Sequence, residues 1–153
     1  MSSPVVSQAV FADLDALARL FDAYRQFQGR ESDLPAARDF LRARFEHGES
    51  VIFLCRIDGE ALGFAQLYPS FSSVALARVY VLNDLFVDER GRHRKVASSL
   101  LDALEDYARS MGAVRVTLNV ARTNGAAQAL YKTRGWQQDD QFFMFHRYPQ
   151  DHA

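Results

Sequence analysis

Residues 85–101 read Leu-Phe-Val-Asp-Glu-Arg-Gly-Arg-His-Arg-Lys-Val-Ala-Ser-Ser-Leu-Leu, and their reading decides the fold. The apolar opening predicts the end of a strand, the middle a short loop, and the apolar spacing from Val96 onward a helix. A strand that feeds a helix N-terminus through a short loop is a ready anion site, because unpaired N–H groups and the helix dipole meet at one point. Arg90, Arg92, Arg94 and Lys95 add positive charge there, which suits a ligand with several phosphates. A basic run of this length also fits a plain solvated loop. It is not a P-loop, since it lacks Gly-Lys-Ser/Thr and any magnesium-binding pattern.

Upstream, Val74 to Val87 is apolar and rich in β-branched and aromatic residues, which predicts a central strand. Val51–Ile57 and Ala61–Tyr68 read as a hairpin around Asp58-Gly59, with the return strand ending at Pro69. Leu14, Leu17, Phe21 and Tyr24 recur at helical spacing, with Asp13 and Asp15 in the first turn, where the helix dipole favours acids. That helix runs to about Phe27 and stops at Gly29. Asp33 with Pro35 predicts the start of a second helix through Phe40, Leu41 and Phe45, closed by Gly48. Val5 to Ala9 reads as a first short strand.

Downstream, Val96, Leu100, Leu101, Leu104, Ala108 and Met111 mark an amphipathic helix closed by Gly112. Val114–Val120 reads as a strand. Asn124 caps a short helix that carries Ala127, Leu130 and Tyr131 and ends at Gly135, and Phe142–Tyr148 reads as a final strand. The order β-α-α-β-β-β-α-β-α-β predicts an α/β fold, a mixed sheet flanked by helices. No repeat, low-complexity tract or linker interrupts it, so residues 1–153 read as one domain.

The formal net charge of -1 leaves no global field to hold a polyanion, and the basic run lacks interleaved aromatics for base stacking, so nucleic acid is not an expected partner. No stretch approaches the roughly 18 apolar residues of a membrane span. The opening Met-Ser-Ser-Pro-Val-Val lacks a secretory signal, and the single cysteine, Cys55, reads as a small core residue that fits a reducing compartment. The cytoplasm is the expectation. His47 falls near a helix C-terminus, and His93, His146 and His152 show no metal-ligand spacing, so no metal is expected. No Ser-His-Asp or Cys-His arrangement is present.

A second string completes the pattern. Leu118, Val120, Asn124, Ala127, Leu130, Tyr131, Gly135 and Trp136 spell L-x-V-x-x-x-N-x-x-A-x-x-L-Y-x-x-x-G-W. Together with Leu-Phe-Val and the Arg92-x-x-x-x-Ala97 loop, it resembles the GNAT superfamily of N-acetyltransferases from Val79 to Trp136. The resemblance implies a central, mostly antiparallel sheet whose strands splay to admit acetyl-CoA as co-substrate. It implies that the backbone of Leu85, Phe86 and Val87 binds the pantetheine arm. Arg92, His93, Arg94, Lys95, Val96 and Ala97, with Ser98 next, would cradle the pyrophosphate, and Asn124 and Ala127 fall at the family's coenzyme-contact spacing. Tyr131 would sit beside the thioester sulfur as general acid. Taken alone, Tyr131 reads as an aromatic on the buried face of a short helix. Lys95 stands where the family prefers glycine, and the expectation is that it takes ordinary helical angles and keeps its amide donor.

Acetyl transfer needs a base to deprotonate the amine, a donor to the developing oxyanion and an acid for the thiolate. A strand N–H around Phe86 is the expected oxyanion donor. The segment Tyr80–Val87 is similar to that of the spermidine/spermine-type acetyltransferases, which carry a carboxylate at the position of Asn83 and another at Asp84. Three readings of Asp84 stand: a base, a partner with Asn83 in holding a water that acts as base, or a carboxylate paired with an Arg or a backbone N–H to hold a bulge. The implied acceptor is a small amine: a polyamine, an amino acid or analogue, or an amine-bearing antibiotic. Its seat would lie among the first two helices and residues 68–73, with Glu31, Asp33 and Asp84 available to a cation. A protein lysine or N-terminus is the alternative acceptor, and a coenzyme-binding sensor without catalysis the alternative class. Relatives imply a homodimer.

Overall fold

The computed structural model describes residues 2–150. The chain divides into two compact units, Met1–Asn119 and Val120–Ala153. The first holds β1 (Val5–Gln8), a 3-10 turn at Phe11–Asp13, α1 (Leu14–Phe27), α2 (Leu34–His47), β2 (Val51–Ile57) and β3 (Glu60–Ser72). β4 (Ala77–Val87), a 3-10 turn at Glu89–Gly91, α3 (Val96–Ser110) and β5 (Val116–Leu118) follow, and the second unit holds α4 (Gly125–Thr133). The strands form one sheet in the order β1-β2-β3-β4-β5, antiparallel except for the parallel β4–β5 pair.

Local chemistry sets most boundaries. Asp33 caps α2 by accepting a hydrogen bond from the Ala36 N–H at 3.2 Å, with Pro35 in the first turn, where its missing N–H costs nothing. Asp58 (φ 52°) and Gly59 (φ 79°) both take the left-handed angles of a tight hairpin turn.

Side-chain alternation then divides the sheet into two faces. Ile52, Leu54 and Phe64 join Leu14, Leu17, Ala18, Leu20 and Phe21 of α1 and Ala37 and Leu41 of α2 in one core. Each large apolar side chain buried there contributes roughly 1.5–3 kcal/mol. On the other face α3 buries Val96, Leu100, Leu101, Leu104 and Ala108. Its Tyr107 packs on Phe53 and Tyr80 with ring centroids 5.6 and 5.7 Å away.

Several expected elements differ. β3 does not stop at Pro69 but continues to Ser72. β2 pairs no farther than Val51↔Leu67, so Pro69 lies where β3 has become an edge and a missing N–H breaks no ladder. β4 starts at Ala77 rather than Val74: Ser73–Leu76 is a turn, with the Leu76 N–H donating to the Ser73 carbonyl at 3.2 Å. Apolar character misled there, because Val74 and Leu76 are almost fully exposed at a hairpin tip. β5 is shorter than Val114–Val120, and the expected strand at Phe142–Tyr148 is absent. Within Val120–Ala153 no described residue belongs to a strand, and a lone strand would leave its backbone N–H and C=O groups without partners.

Candidate coenzyme and acceptor site

β4 is paired with β3 along its length, from Gly63↔Val87 to Ser72↔Ala77, but with β5 only at Tyr80, Val81 and Leu82. The register steps from Gln66↔Asp84 to Leu67↔Leu82, so Asn83 is an extra residue and β4 is bulged there. A bulge bends its strand and increases twist, and beyond this one β5 no longer follows. The backbone of residues 83–87 is left as an edge that no strand of the first unit covers. The Asp88 N–H donates to the Leu62 carbonyl at 2.8 Å. Alternation in the antiparallel ladder therefore turns Phe86 N–H toward β3 and leaves Leu85 and Val87 with groups on the open edge. The edge-facing N–H groups around Phe86 are therefore those of its two neighbours. Phe86 instead gives its ring to the α1 face, 5.8 Å from Tyr24 and 6.2 Å from Phe27.

The loop after β4 folds back at once. Asp88 accepts from the Arg90 N–H at 2.9 Å and from Arg90 Nε at 3.0 Å, and Arg90 also pairs with Glu60. The Arg90 hydrogen bond holds the Asp88 carboxyl below its ordinary value. Arg90 is thereby neutralised, and Arg94 donates to the Arg90 carbonyl at 3.2 Å. The remaining loop surrounds a cavity of about 240 Å³ lined by Val87, Gly91, Arg92, His93, Lys95, Val96, Ala97 and Ser98. Arg94, expected among the pyrophosphate residues, does not line it.

Lys95 is the N-cap of α3 at φ 64°, ψ 23°, and His93 has φ 60°. The expectation of ordinary helical angles for Lys95 is overturned: the chain must reverse its twist here to enter α3, and it does so in the left-handed region that glycine occupies freely. The first backbone hydrogen bond into α3 runs from Ser99 N to Lys95 O at 3.0 Å. Val96, Ala97 and Ser98 consequently have no helical carbonyl to bond and present their amides as donors at the positive end of the helix dipole. Two glycines bring this helix start onto the sheet. A Cβ at Gly63 would lie 2.6 Å from Val96 Cγ1 and 3.0 Å from the Phe86 carbonyl oxygen, and one at Gly91 would lie 3.0 Å from Leu62 Cβ.

Asp84 lies on the α1/α2 face of β4. It is 5% exposed, accepting from Gln66 Nε2 at 2.8 Å and from Asn83 Nδ2 at 3.1 Å. Among the described residues neither an Arg nor a backbone N–H holds it, and its donors are two side-chain amides. Among the described residues no cationic side chain forms an ion pair with it. Tyr68, one pleat along from Gln66, has its hydroxyl pushed up to about 12 by burial and then by the Asp84 charge. It therefore stays protonated across the working pH range. Asp33, considered as a cation ligand, spends its carboxylate on the α2 cap, and Glu31 is exposed. The α1–α2 connection is pinned by the buried Asp22, which accepts from Ser32 Oγ at 2.7 Å and from the Asp33 N–H at 2.8 Å.

In the second unit, Asn124 caps α4 by accepting from the Ala127 N–H at 3.1 Å, leaving its own amide nitrogen as a donor. Gly135 (φ 89°) ends the helix: its N–H donates to Lys132 O and the Trp136 N–H to Tyr131 O, at 3.1 and 3.0 Å. This closure needs a residue free to take positive φ and favours an apolar contact across it. The Tyr131 and Trp136 rings supply the contact at 5.7 Å. Burial raises the Tyr131 hydroxyl above its ordinary value, keeping its proton in place. Among the described residues no cluster of His, Cys, Asp or Glu has the makings of a metal site, and no helix is long and apolar enough to cross a membrane. His152 lies outside the described residues.

Sequence reasoning did not single out Gln66, Gly63 or Gly91. The available signal for Gln66 was its position as a lone amide in the apolar run from Ala61 to Leu67.

A strand edge freed by a bulge, leading to helix amides over a cavity lined by Arg92 and Lys95, is an arrangement that can receive a long, phosphate-bearing ligand. The family model described as Acetyltransferase (GNAT) family matches residues 14–136. The chain belongs to this family; it is an acetyltransferase, with acetyl-CoA as acetyl donor. It is similar to the uncharacterized N-acetyltransferase YhfO of Bacillus subtilis (strain 168), 44% identical over 137 residues that cover 90% of this chain and 92% of the relative. A crystal structure of a probable acetyltransferase is 41% identical, with a TM-score of 0.91 over 97% of this chain and 99% of the other. An aminoglycoside N-acetyltransferase solved in complex with CoA shares the fold at 18% identity, with a TM-score of 0.79 over 96% of both chains.

Proposed function

We propose that the chain acetylates the primary amine of a small molecule such as a polyamine, an amino acid or an amine-bearing antibiotic. The observation that carries this reading is a buried carboxylate, Asp84, that has no cationic partner among the described residues and lies at the head of the β4 edge that β5 leaves unpaired. A buried negative charge is costly without a counter-charge, and an ammonium group would supply one.

Arg92, His93 and Lys95 and the amides of residues 96–98 suit a pyrophosphate, and the edge groups of Leu85 and Val87 suit an amide-bearing arm. Bound acetyl-CoA supplies the thioester that reacts. Asp84 takes one proton from the acceptor ammonium, freeing the nitrogen lone pair to form the C–N bond. An N–H of the open edge, from Leu85 or Val87, donates to the carbonyl oxygen as charge collects there. Tyr131 gives its proton to sulfur as the C–S bond breaks. The nitrogen sheds its second proton to solvent, Asp84 passes its proton to solvent, and solvent restores Tyr131, so one proton is released per amide formed.

By analogy with relatives we assign the whole chain to one acetyltransferase domain working as a homodimer in the cytoplasm, and sedimentation equilibrium tests the pairing. A panel of amines assayed with acetyl-CoA, following free thiol release, tests the acceptor class. Turnover of diamines or aminoglycosides well above that of lysine-containing peptides is the expected result, and the reverse order overturns the small-molecule reading.

A further inference from the structure

Among the described residues of the first unit, Asp22, Gln66 and Asp84 are the buried polar or charged ones. The donors to Asp22 account for it as a clamp on the α1–α2 connection. Gln66 is different. It has no exposed surface, its Nε2 donates to Asp84 Oδ2 at 2.8 Å, and its Oε1 is buried with no partner. Turning the amide over would set Oε1 against the carboxylate, acceptor facing acceptor, so Asp84 dictates which way Gln66 points. The orphaned oxygen costs stability that a leucine or methionine of similar volume would not. As a packing residue Gln66 is a poor choice, and what it provides is a fixed donor to Asp84. The other donor, Asn83, sits on the bulge with an exposed side chain. The rigid half of the Asp84 cradle is therefore Gln66.

Resting on the reading of Asp84 as proton acceptor, we infer that Gln66 is a positioning residue for acetyl transfer, aiming the Asp84 carboxylate at the acceptor nitrogen from beneath the β4 bulge. The other groups brought to this face do not duplicate it. Among the described residues the side-chain donors to Asp84 are Gln66 and Asn83, with none from Tyr68 of β3; Arg44 from α2 pairs with Glu49 at 3.3 Å, and α1 contributes Tyr24 against Phe64 and Phe86.

The test uses the full chain with Gln66→Met and Gln66→Glu, alongside Asp84→Asn. Gln66→Met removes donor and orphan together. Because Asp84 Oδ2 loses its donor as the orphaned oxygen is removed, the variant's melting temperature should stay close to wild type and acetyl-CoA affinity should be unchanged, while kcat with the best amine falls by about 10- to 100-fold, the scale of a misaimed reacting group. Gln66→Glu adds a readout that packing would not move. Protonated, its carboxyl donates to Asp84 as the amide does; ionised, it repels Asp84. Its turnover relative to wild type at the same pH should therefore rise as pH falls. Unchanged kcat in Gln66→Met, or a Gln66→Glu ratio flat with pH, overturns the inference while a dead Asp84→Asn leaves Asp84 as the base. Wild-type turnover in Asp84→Asn overturns both.

Discussion

Replacing Lys95 by glycine should stabilise the protein. Lys95 sits at φ 64°, ψ 23° with no side-chain cap hydrogen bond, and its side chain is exposed. A non-glycine residue in this region costs roughly 1–2 kcal/mol. Glycine removes that cost but gives the unfolded chain extra freedom worth about 0.4–1 kcal/mol. The net gain is about 0.5–1 kcal/mol, or roughly 1–4 °C in Tm for a chain of this size. Lys95→Ala separates charge from strain, because it deletes the ammonium and keeps the Cβ; it should gain nothing. Thermal melts of the three proteins give the stabilities, and acetyl-CoA titration at low and high salt gives the ligand side. If the backbone amides alone hold phosphate, Lys95→Gly binds as tightly as wild type at both salt concentrations, whereas an ammonium–phosphate contact weakens with screening. A Lys95→Gly protein no more stable than Lys95→Ala refutes the strain argument, and a tenfold affinity loss at low salt refutes the amide-only account.

The remaining predictions probe the frame around the site. Gly63→Ala drives a Cβ to within 2.6 Å of Val96 and 3.0 Å of the Phe86 carbonyl. It should cost roughly 1–3 kcal/mol and weaken acetyl-CoA binding by shifting the start of α3; unaltered melting and affinity would show that the approach is not tight. Tyr131→Phe should leave coenzyme binding intact and lower kcat by roughly two orders of magnitude; near-wild-type turnover would assign the ring to the helix closure with Trp136. The Asp22 carboxyl is held below its ordinary value chiefly by the Ser32 hydroxyl, so its stabilisation is complete above the unfolded-state value and lost as pH falls through the folded one. Asp22→Asn should therefore be less stable by about 1–3 kcal/mol near neutral pH, with the gap closing as pH falls through the carboxylate range. A gap constant with pH in denaturant titrations would exclude a role for the charge.

Wherever a few neighbouring residues carry the physics, the sequence determined the structure by itself. The Asp33–Pro35 cap, the Asp58-Gly59 turn, the Asn124 cap and the helix-ending glycines each satisfy or redirect backbone groups within one turn of chain, so composition at three or four positions suffices. The strand–loop–helix junction was legible for the same reason, and so was the family. What depended on partners far along the chain was not. The pairing of Gln66 with Asp84 spans eighteen positions and exists because the β3–β4 register, shifted by one residue at Asn83, sets them opposite each other. β3 passes through Pro69 because β2 has already ended, and Val74–Leu76 forms a turn despite being apolar. Lys95 is left-handed at the start of a helix that Gly63 and Gly91 let lie close against the sheet, a conformation its residue type does not announce. Hydrogen bonding and capping are local and can be read from residue types, whereas register, edge exposure and close packing are settled only when distant segments compete for the same space.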